Sequence, residues 1–164
     1  MSYNAEQVAE WREVWIASMM RHSQHPLIFW QAVANRLITD RLRLHCDPMA
    51  PLGPNGPDST RCFEVLAERN LQGLHLERVD DLPKALILYE ACVADCFSGL
   101  SPYERLRTIY TRWRWYEDAL RVCEAYDVQP EQPGMDSHEY FQSCALWLAK
   151  QIRQQKKSKG ESNG

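Results

Sequence analysis

LPKALILYEACVAD (82–95) and YEDALRVCEAYDVQ (116–129) are the two segments whose comparison decides how this 164-residue chain folds. Shifted by 34 residues, Ala85 falls on Ala119, Leu82 on Tyr116, Leu86 on Leu120, Tyr89 on Cys123 and Cys92 on Tyr126. Upstream the same shift sets Leu76 on Tyr110 and, less well, Gly73 on Arg107. Apolar residues recur at three- and four-residue steps in both segments, which is the period of a helix with one buried side. A small residue such as Ala85 or Ala119 lets one helix approach its neighbour closely. Larger residues such as Leu106 and Tyr110 then fill the seam.

Working outward, almost every other segment is helical by the same test. Residues 5–21 space Val8, Trp11, Trp15 and Met19 along one side, with Asn4 and Gln7 at capping-box positions. His25-Pro26 permits a restart, and residues 27–44 carry Trp30, Val33, Leu37 and Ile38 toward one face. The two amphipathic segments are expected to pair as an N-terminal hairpin over 1–45. Pro48, Pro51, Pro54 and Pro57 recur every third residue, so 46–60 reads as a polyproline-like linker in which no helix survives. Such a PxxP segment can also serve as a docking ligand for an aromatic groove. Ser101-Pro102-Tyr103-Glu104 has the order of an N-cap, a first-turn proline and an N3 glutamate, and Asp136 and Glu139 repeat the capping-box spacing. Residues 137–154 put Tyr140, Cys144, Trp147 and Leu148 on one stripe, and 156–164 reads as a polar, frayed tail.

A helix-turn-helix period of 34 is the tetratricopeptide spacing, and residues 66–131 resemble two such repeats. In the second unit, Tyr103, Leu106, Tyr110, Tyr116, Ala119 and Cys123 fall where the family pattern wants apolar or small residues. The first unit keeps Gly73, Leu76, Leu82, Ala85 and Tyr89 but has Arg69 and Gln72 in place of the usual large apolar pair. Phe97 stands where the family often closes with proline, and Pro130 comes one place early. The resemblance implies an all-α fold of about seven helices: a right-handed stack of helical hairpins over 61–155 with the N-terminal hairpin at one end and a C-terminal capping helix at the other. The whole is expected to form one compact domain.

Composition agrees with a globular chain. Hydrophobic residues make up 45% and charged residues 25%, which excludes global disorder. Nineteen Lys and Arg against 22 Asp and Glu leave a net charge of -3, so bulk attraction to polyanions is not expected. No apolar run is long enough to span a membrane, and the N-terminal residues carry no secretory pattern, so a cytoplasmic protein is expected. The six cysteines lie dispersed within helical patterns and read as reduced, mostly buried thiols.

Three function classes follow. The resemblance implies a non-catalytic protein-interaction module, an adaptor or assembly factor that holds a partner segment on the concave face formed by the first helix of each unit. By register that wall holds Asn70, Leu74, Glu77 and Arg78, then Glu104, Arg105, Thr108 and Arg112, and His138 and Gln142 from the capping helix. It lacks a regular Lys/Asn set for gripping a terminal carboxylate. The second class is a nucleic-acid-binding repeat protein using Arg105, Arg112, Arg114, Trp113, Trp115 and the basic tail Lys150, Arg153, Lys156, Lys157 and Lys159. In the plainer reading of 105–121, Tyr110 and Trp113 face the core and the arginines form a solvated face. The third class is a metal-dependent enzyme or sensor using His22, His25 and the His45-Cys46-Asp47 run, but no CxxC or HExxH accompanies these residues. Glycine-flanked serine elbows and phosphate-binding glycine loops are absent from the sequence, so no enzyme, metal or cofactor is assigned. Exposed aromatics at stack ends would also permit self-association.

Overall fold

The computed structural model describes residues 4–45, 59–129 and 136–162. Its described residues form seven α-helices and no strand: α1 (Ala5–Met20), α2 (Leu27–Arg43), α3 (Ser59–Arg78), α4 (Leu82–Ala94), α5 (Ser101–Arg112), α6 (Tyr116–Asp127) and α7 (Ser137–Ser162). The all-α class expected from the hydrophobic period is the class observed. The chain divides into two compact units, one through Pro102 and one from Tyr103 onward. Most of the proline-rich linker, 46–58, lies outside the described residues, as does Pro130.

In the first unit α4 is the central element, with α2 and α3 packed against it and α1 packed on α2. This position explains why LPKALILYEACVA is apolar almost all round: Ala85, Leu86, Leu88, Tyr89, Ala91, Cys92 and Val93 are all buried. Trp30, Val33, Ala34 and Leu37 of α2 meet Met19 and Ala91 in one apolar cluster, edged by Trp15, Ile16 and Phe29. Cys62 and Leu66 of α3 meet Cys92 and Phe97 in a second. Asn4 caps α1 through the capping box read from the sequence: its side chain accepts from the Gln7 amide, and Gln7 reciprocates.

Among these apolar contacts lies a buried chain of charges, which meets the surface at Asp40 through its pairing with the part-exposed Arg36 at 2.9 Å. Arg41 of α2 and Arg69 of α3 are completely inaccessible, as is Asp95 at the end of α4, and Asp40 of α2 nearly so. Arg69 donates from Nε to Asp40 at 2.9 Å and from Nη1 to Asp95 and to the Ala91 carbonyl, the last at 3.1 Å. Arg41 pairs with the other oxygen of Asp95 through Nε at 2.9 Å and through Nη2, and its guanidinium lies 4.4 Å over the Trp15 ring of α1. Two cations and two anions thus alternate as Asp40, Arg69, Asp95, Arg41, and the chain touches all four helices. Burial opposes the charge on Arg69, but Asp95 and Asp40 outweigh it and raise the guanidinium pKa. Arg69 is the residue that departs from the apolar repeat pattern, and this chain is what it does there.

The 34-residue echo is realised at the level of the backbone. α3 ends at Arg78 and α5 at Arg112; α4 begins at Leu82 and α6 at Tyr116. Asp80 and Arg114 both take the left-handed conformation with φ 62°. The Asp81 amide donates to the Leu76 carbonyl at 2.8 Å, and the Trp115 amide donates to that of Tyr110 at the same distance. Both turns are Schellman closures, each built on a side chain where glycine is the usual residue. Ala85 and Ala119 are both fully buried. At Gly73 an added Cβ would fall 2.5 Å from the Tyr89 ring, which is buried and donates its hydroxyl to Glu77 at 2.7 Å.

In the second unit α6 packs against α7. Tyr126 is the hub: it meets Tyr103 of α5 edge-on at 5.1 Å and Phe141 of α7 at 4.4 Å, and its hydroxyl bonds Ser137 at 2.6 Å. Two expectations need correction. α7 continues to Ser162, through residues read as a frayed tail from 156. Trp113, placed in the core by the plainer of the two readings of 105–121, is 40% exposed, because α5 ends at Arg112 and the turn carries it out of the buried stripe.

Two substitutions test the first unit. Asp95→Asn removes the carboxylate that the buried Arg41 and Arg69 share, leaving Arg69 with Asp40, and is expected to cost about 3–5 kcal/mol in urea unfolding. Gly73→Ala should destabilise by about 1–3 kcal/mol through overpacking against Tyr89, despite alanine's better helix propensity; an unchanged urea midpoint would contradict this packing.

Candidate functional site

The ten residues assigned to an inner wall lie on three helices. Asn70, Leu74, Glu77 and Arg78 belong to α3 of the first unit. Leu74 is half-buried, Arg78 is exposed, and Glu77 accepts the Tyr89 hydroxyl. Asn70 has its Oδ1 buried with no hydrogen-bond partner among the described residues. The other six are in the second unit, where a groove can be described in detail.

That groove, about 390 Å³, runs between α5 and α7 and is lined by Arg107, Thr111, Tyr140, Ser143, Cys144, Trp147 and Leu148. Helical spacing produces it. Positions 104, 107, 108 and 111 share one side of α5, and 140, 143, 144 and 147 share one side of α7. Glu104 and Arg107 form a two-point ion pair, Nε to Oε2 at 3.1 Å and Nη2 to Oε1 at 2.6 Å. Arg107 also donates to the Tyr140 hydroxyl at 2.9 Å, which in turn reaches Glu104 at 3.3 Å, and the Arg107 guanidinium lies 5.5 Å from the Tyr140 ring centroid. Thr108 contacts both Glu104 and Arg107 through its hydroxyl.

The polar cluster therefore fastens α5 to α7 at one end of the groove. The hydrogen bond from Glu104 raises the Arg107 pKa, with burial opposing it. Burial raises that of the Tyr140 phenol, Arg107 pulling against it and Glu104 reinforcing it. Beyond the cluster the lining turns apolar. Leu148 is buried, Cys144 is half-buried, and Tyr140 and Trp147 each leave 47% of their surface open. The Thr111 hydroxyl oxygen has no hydrogen-bond partner among the described residues.

Glu104 and Thr108 thus sit beside the groove, whereas other assigned residues point elsewhere. His138 stands edge-on to Tyr126 of α6 at 5.2 Å, and Gln142 donates to Asp127 of α6 at 2.8 Å. Both therefore face α6, on the other flank of α7. Arg105 is half-buried and Arg112 exposed, and neither lines the groove. The sequence reading missed Arg107, Thr111, Ser143 and the open edges of Tyr140 and Trp147. It had grouped Tyr140, Cys144, Trp147 and Leu148 on one stripe, so the available signal was the stripe's width: four apolar positions, three of them large, are more than one helix contact covers.

Of the metal candidates, His22 and His25 flank the α1–α2 turn. His22 is exposed in the α1–α2 turn with φ 62°, while the His25 ring is buried flat against Phe29 at 3.6 Å. Among the described residues no group of three His, Cys, Asp or Glu side chains is placed to hold a metal ion; Cys46 and Asp47 lie outside them. No described helix is long and apolar enough to cross a membrane. Cys62, Cys92 and Cys123 are buried, and Cys96 and Cys144 half-buried. Burial pushes the thiols of Cys92 and Cys123 up to about 12 from an ordinary value of 9.0. No family model matches the chain, and neither a curated protein nor a solved structure is significantly similar to it.

The thiols generate a pH prediction. An unfolded thiol loses its proton near pH 9, whereas the folded Cys92 and Cys123 keep theirs to about pH 12. The unfolded chain therefore binds fewer protons in this interval, and stability falls as pH rises from 9 toward 12, with no contribution below. The urea midpoint should drop between pH 8.5 and 10.5, and drop less in a Cys92→Ala/Cys123→Ala variant. A variant with the full parental pH slope would contradict this.

Proposed function

We propose that this chain is a non-catalytic protein-interaction module of tetratricopeptide-like build, whose α5–α7 groove takes an extended segment of a partner protein. The observation that carries the reading is the groove itself: two half-open aromatic rings, Tyr140 and Trp147, above an apolar floor, beside a polar cluster already held in place. Aromatic anchors of this kind present large area at small entropic cost, as binding surfaces do. The matched turns at Asp80 and Arg114 and the buried Ala85 and Ala119 support the repeat reading. The resemblance to tetratricopeptide repeats implies that such inner helices bind extended peptides, and α5 and α7 hold that place in the register. Because Arg107 is already paired with Glu104, the groove favours an apolar or aromatic segment over a bare carboxylate.

Selection of a random-peptide display library on the full chain tests this. Enriched peptides should carry large apolar side chains. Their affinity should fall at least tenfold with Trp147→Ala and with Tyr140→Ala, the far-UV spectrum staying unchanged. Failure to enrich any sequence, or binders indifferent to both substitutions, would sink the reading.

A further inference from the structure

A second surface of the same unit has a different chemistry. From 140 to 160 the sequence contains no Asp or Glu but five cations, Lys150, Arg153, Lys156, Lys157 and Lys159, in a chain whose net charge is -3. The fold brings this half of α7 against the α5–α6 turn: Gln155 donates its amide to the Arg114 carbonyl at 3.3 Å. Between them lies a cleft of about 390 Å³ lined by Arg114, Tyr116, Gln151, Gln154, Ser158 and Lys159, besides Gln155. The turn that borders it reads Arg112-Trp113-Arg114.

Of the seven cations on this half of α7 and the turn, four are unpaired among the described residues, and three of those, Lys150, Arg153 and Lys157, share a stripe of α7 that flanks the one lining the cleft. Lys156 approaches Glu117 at 3.8 Å, whereas Arg112, Lys150, Arg153 and Lys157 form no ion pair among the described residues. This contrasts with Arg41 and Arg69 of the first unit, whose guanidinium groups are consumed by buried carboxylates. Trp113 adds an aromatic face. It is 40% exposed and braced edge-on at 5.0 Å by Trp115, which itself stacks on Tyr110. Carboxamides of Gln151 and Gln154 and the Ser158 hydroxyl supply neutral donors and acceptors in the cleft.

We propose that the α5–α6 turn and the C-terminal half of α7 together form a binding face for single-stranded nucleic acid, distinct from the α5–α7 peptide groove. Cations on α7 and the turn take the phosphates, and Trp113 stacks on an unpaired base. A duplex offers the same phosphates but no free base face, and an acidic polypeptide offers charge without a base. Those two differences separate this partner from its rivals.

Fluorescence anisotropy of a labelled 20-nucleotide oligouridylate with the full chain is the test. Binding is expected at 50 mM KCl. With about four phosphates neutralised, it weakens about 50-fold on going to 200 mM. Lys150→Glu/Lys157→Glu and Trp113→Ala should each lower affinity at least tenfold. Arg114→Gly relieves a left-handed backbone position while removing the guanidinium, so it should raise the melting temperature and still weaken binding several-fold. No binding at 50 mM KCl would overturn the proposal. So would parental affinity in the lysine or tryptophan variants, a blunt duplex binding as tightly, or polyglutamate binding as well as the oligonucleotide does.

Discussion

The alternating chain Asp40, Arg69, Asp95, Arg41 is the constraint on which the first unit depends. Four charges lie out of water, and each is tolerable only while its neighbours hold position. Those neighbours come from α2, α3 and the end of α4, with Trp15 of α1 beneath Arg41. An apolar core can slide by a fraction of an ångström at small cost, but a buried guanidinium with a displaced carboxylate cannot. The ion chain therefore sets the register of four helices in a way that Leu, Val and Ala contacts alone would not. Its carboxylate at the end of α4 also explains why that helix, otherwise nearly all apolar, stops at a charged residue: Asp95 is half cap, half counter-ion.

The second unit is held differently. Its arginines lie nearer water, and its interior is aromatic: Tyr103, Tyr110, Tyr116, Tyr126 and Phe141 are buried, with Tyr126 at the meeting point. Aromatic rings leave gaps at their edges, and one such gap between α5 and α7 is the proposed peptide groove. The ion pair Glu104–Arg107 with Tyr140 props its end open, because a hydrogen-bonded guanidinium does not collapse into an apolar floor. On the proposed reading, the first unit buries Arg41 and Arg69 for its own structure, and the second leaves several cations for partners.

Departures from the repeat pattern carry the most information. Arg69 breaks the apolar run of the first unit, and it anchors the buried chain. Asp80 and Arg114 stand at left-handed helix-end positions where glycine costs least, and their agreement at 34-residue separation reflects a shared turn. Gly73 pairs with Arg107 in the shift, a poor match by type. The first admits the Tyr89 ring; the second lies in a groove where an ion pair takes the place of that contact.

Helix content, the hairpin period and the buried alanines could be read from the linear order of residues, because apolar spacing and helix-end chemistry are local. The capping box at Asn4 and Gln7 was legible for the same reason. Partner choice was not. Whether Arg69 meets solvent or a carboxylate depends on Asp40 and Asp95, which lie 29 and 26 residues away in the chain. The rotation of α7 about its own axis is also invisible in a periodic pattern. It sends His138 and Gln142 toward α6 and leaves Tyr140 and Trp147 lining the groove. Periodicity names the faces of a helix; only packing against its neighbours decides what each face meets.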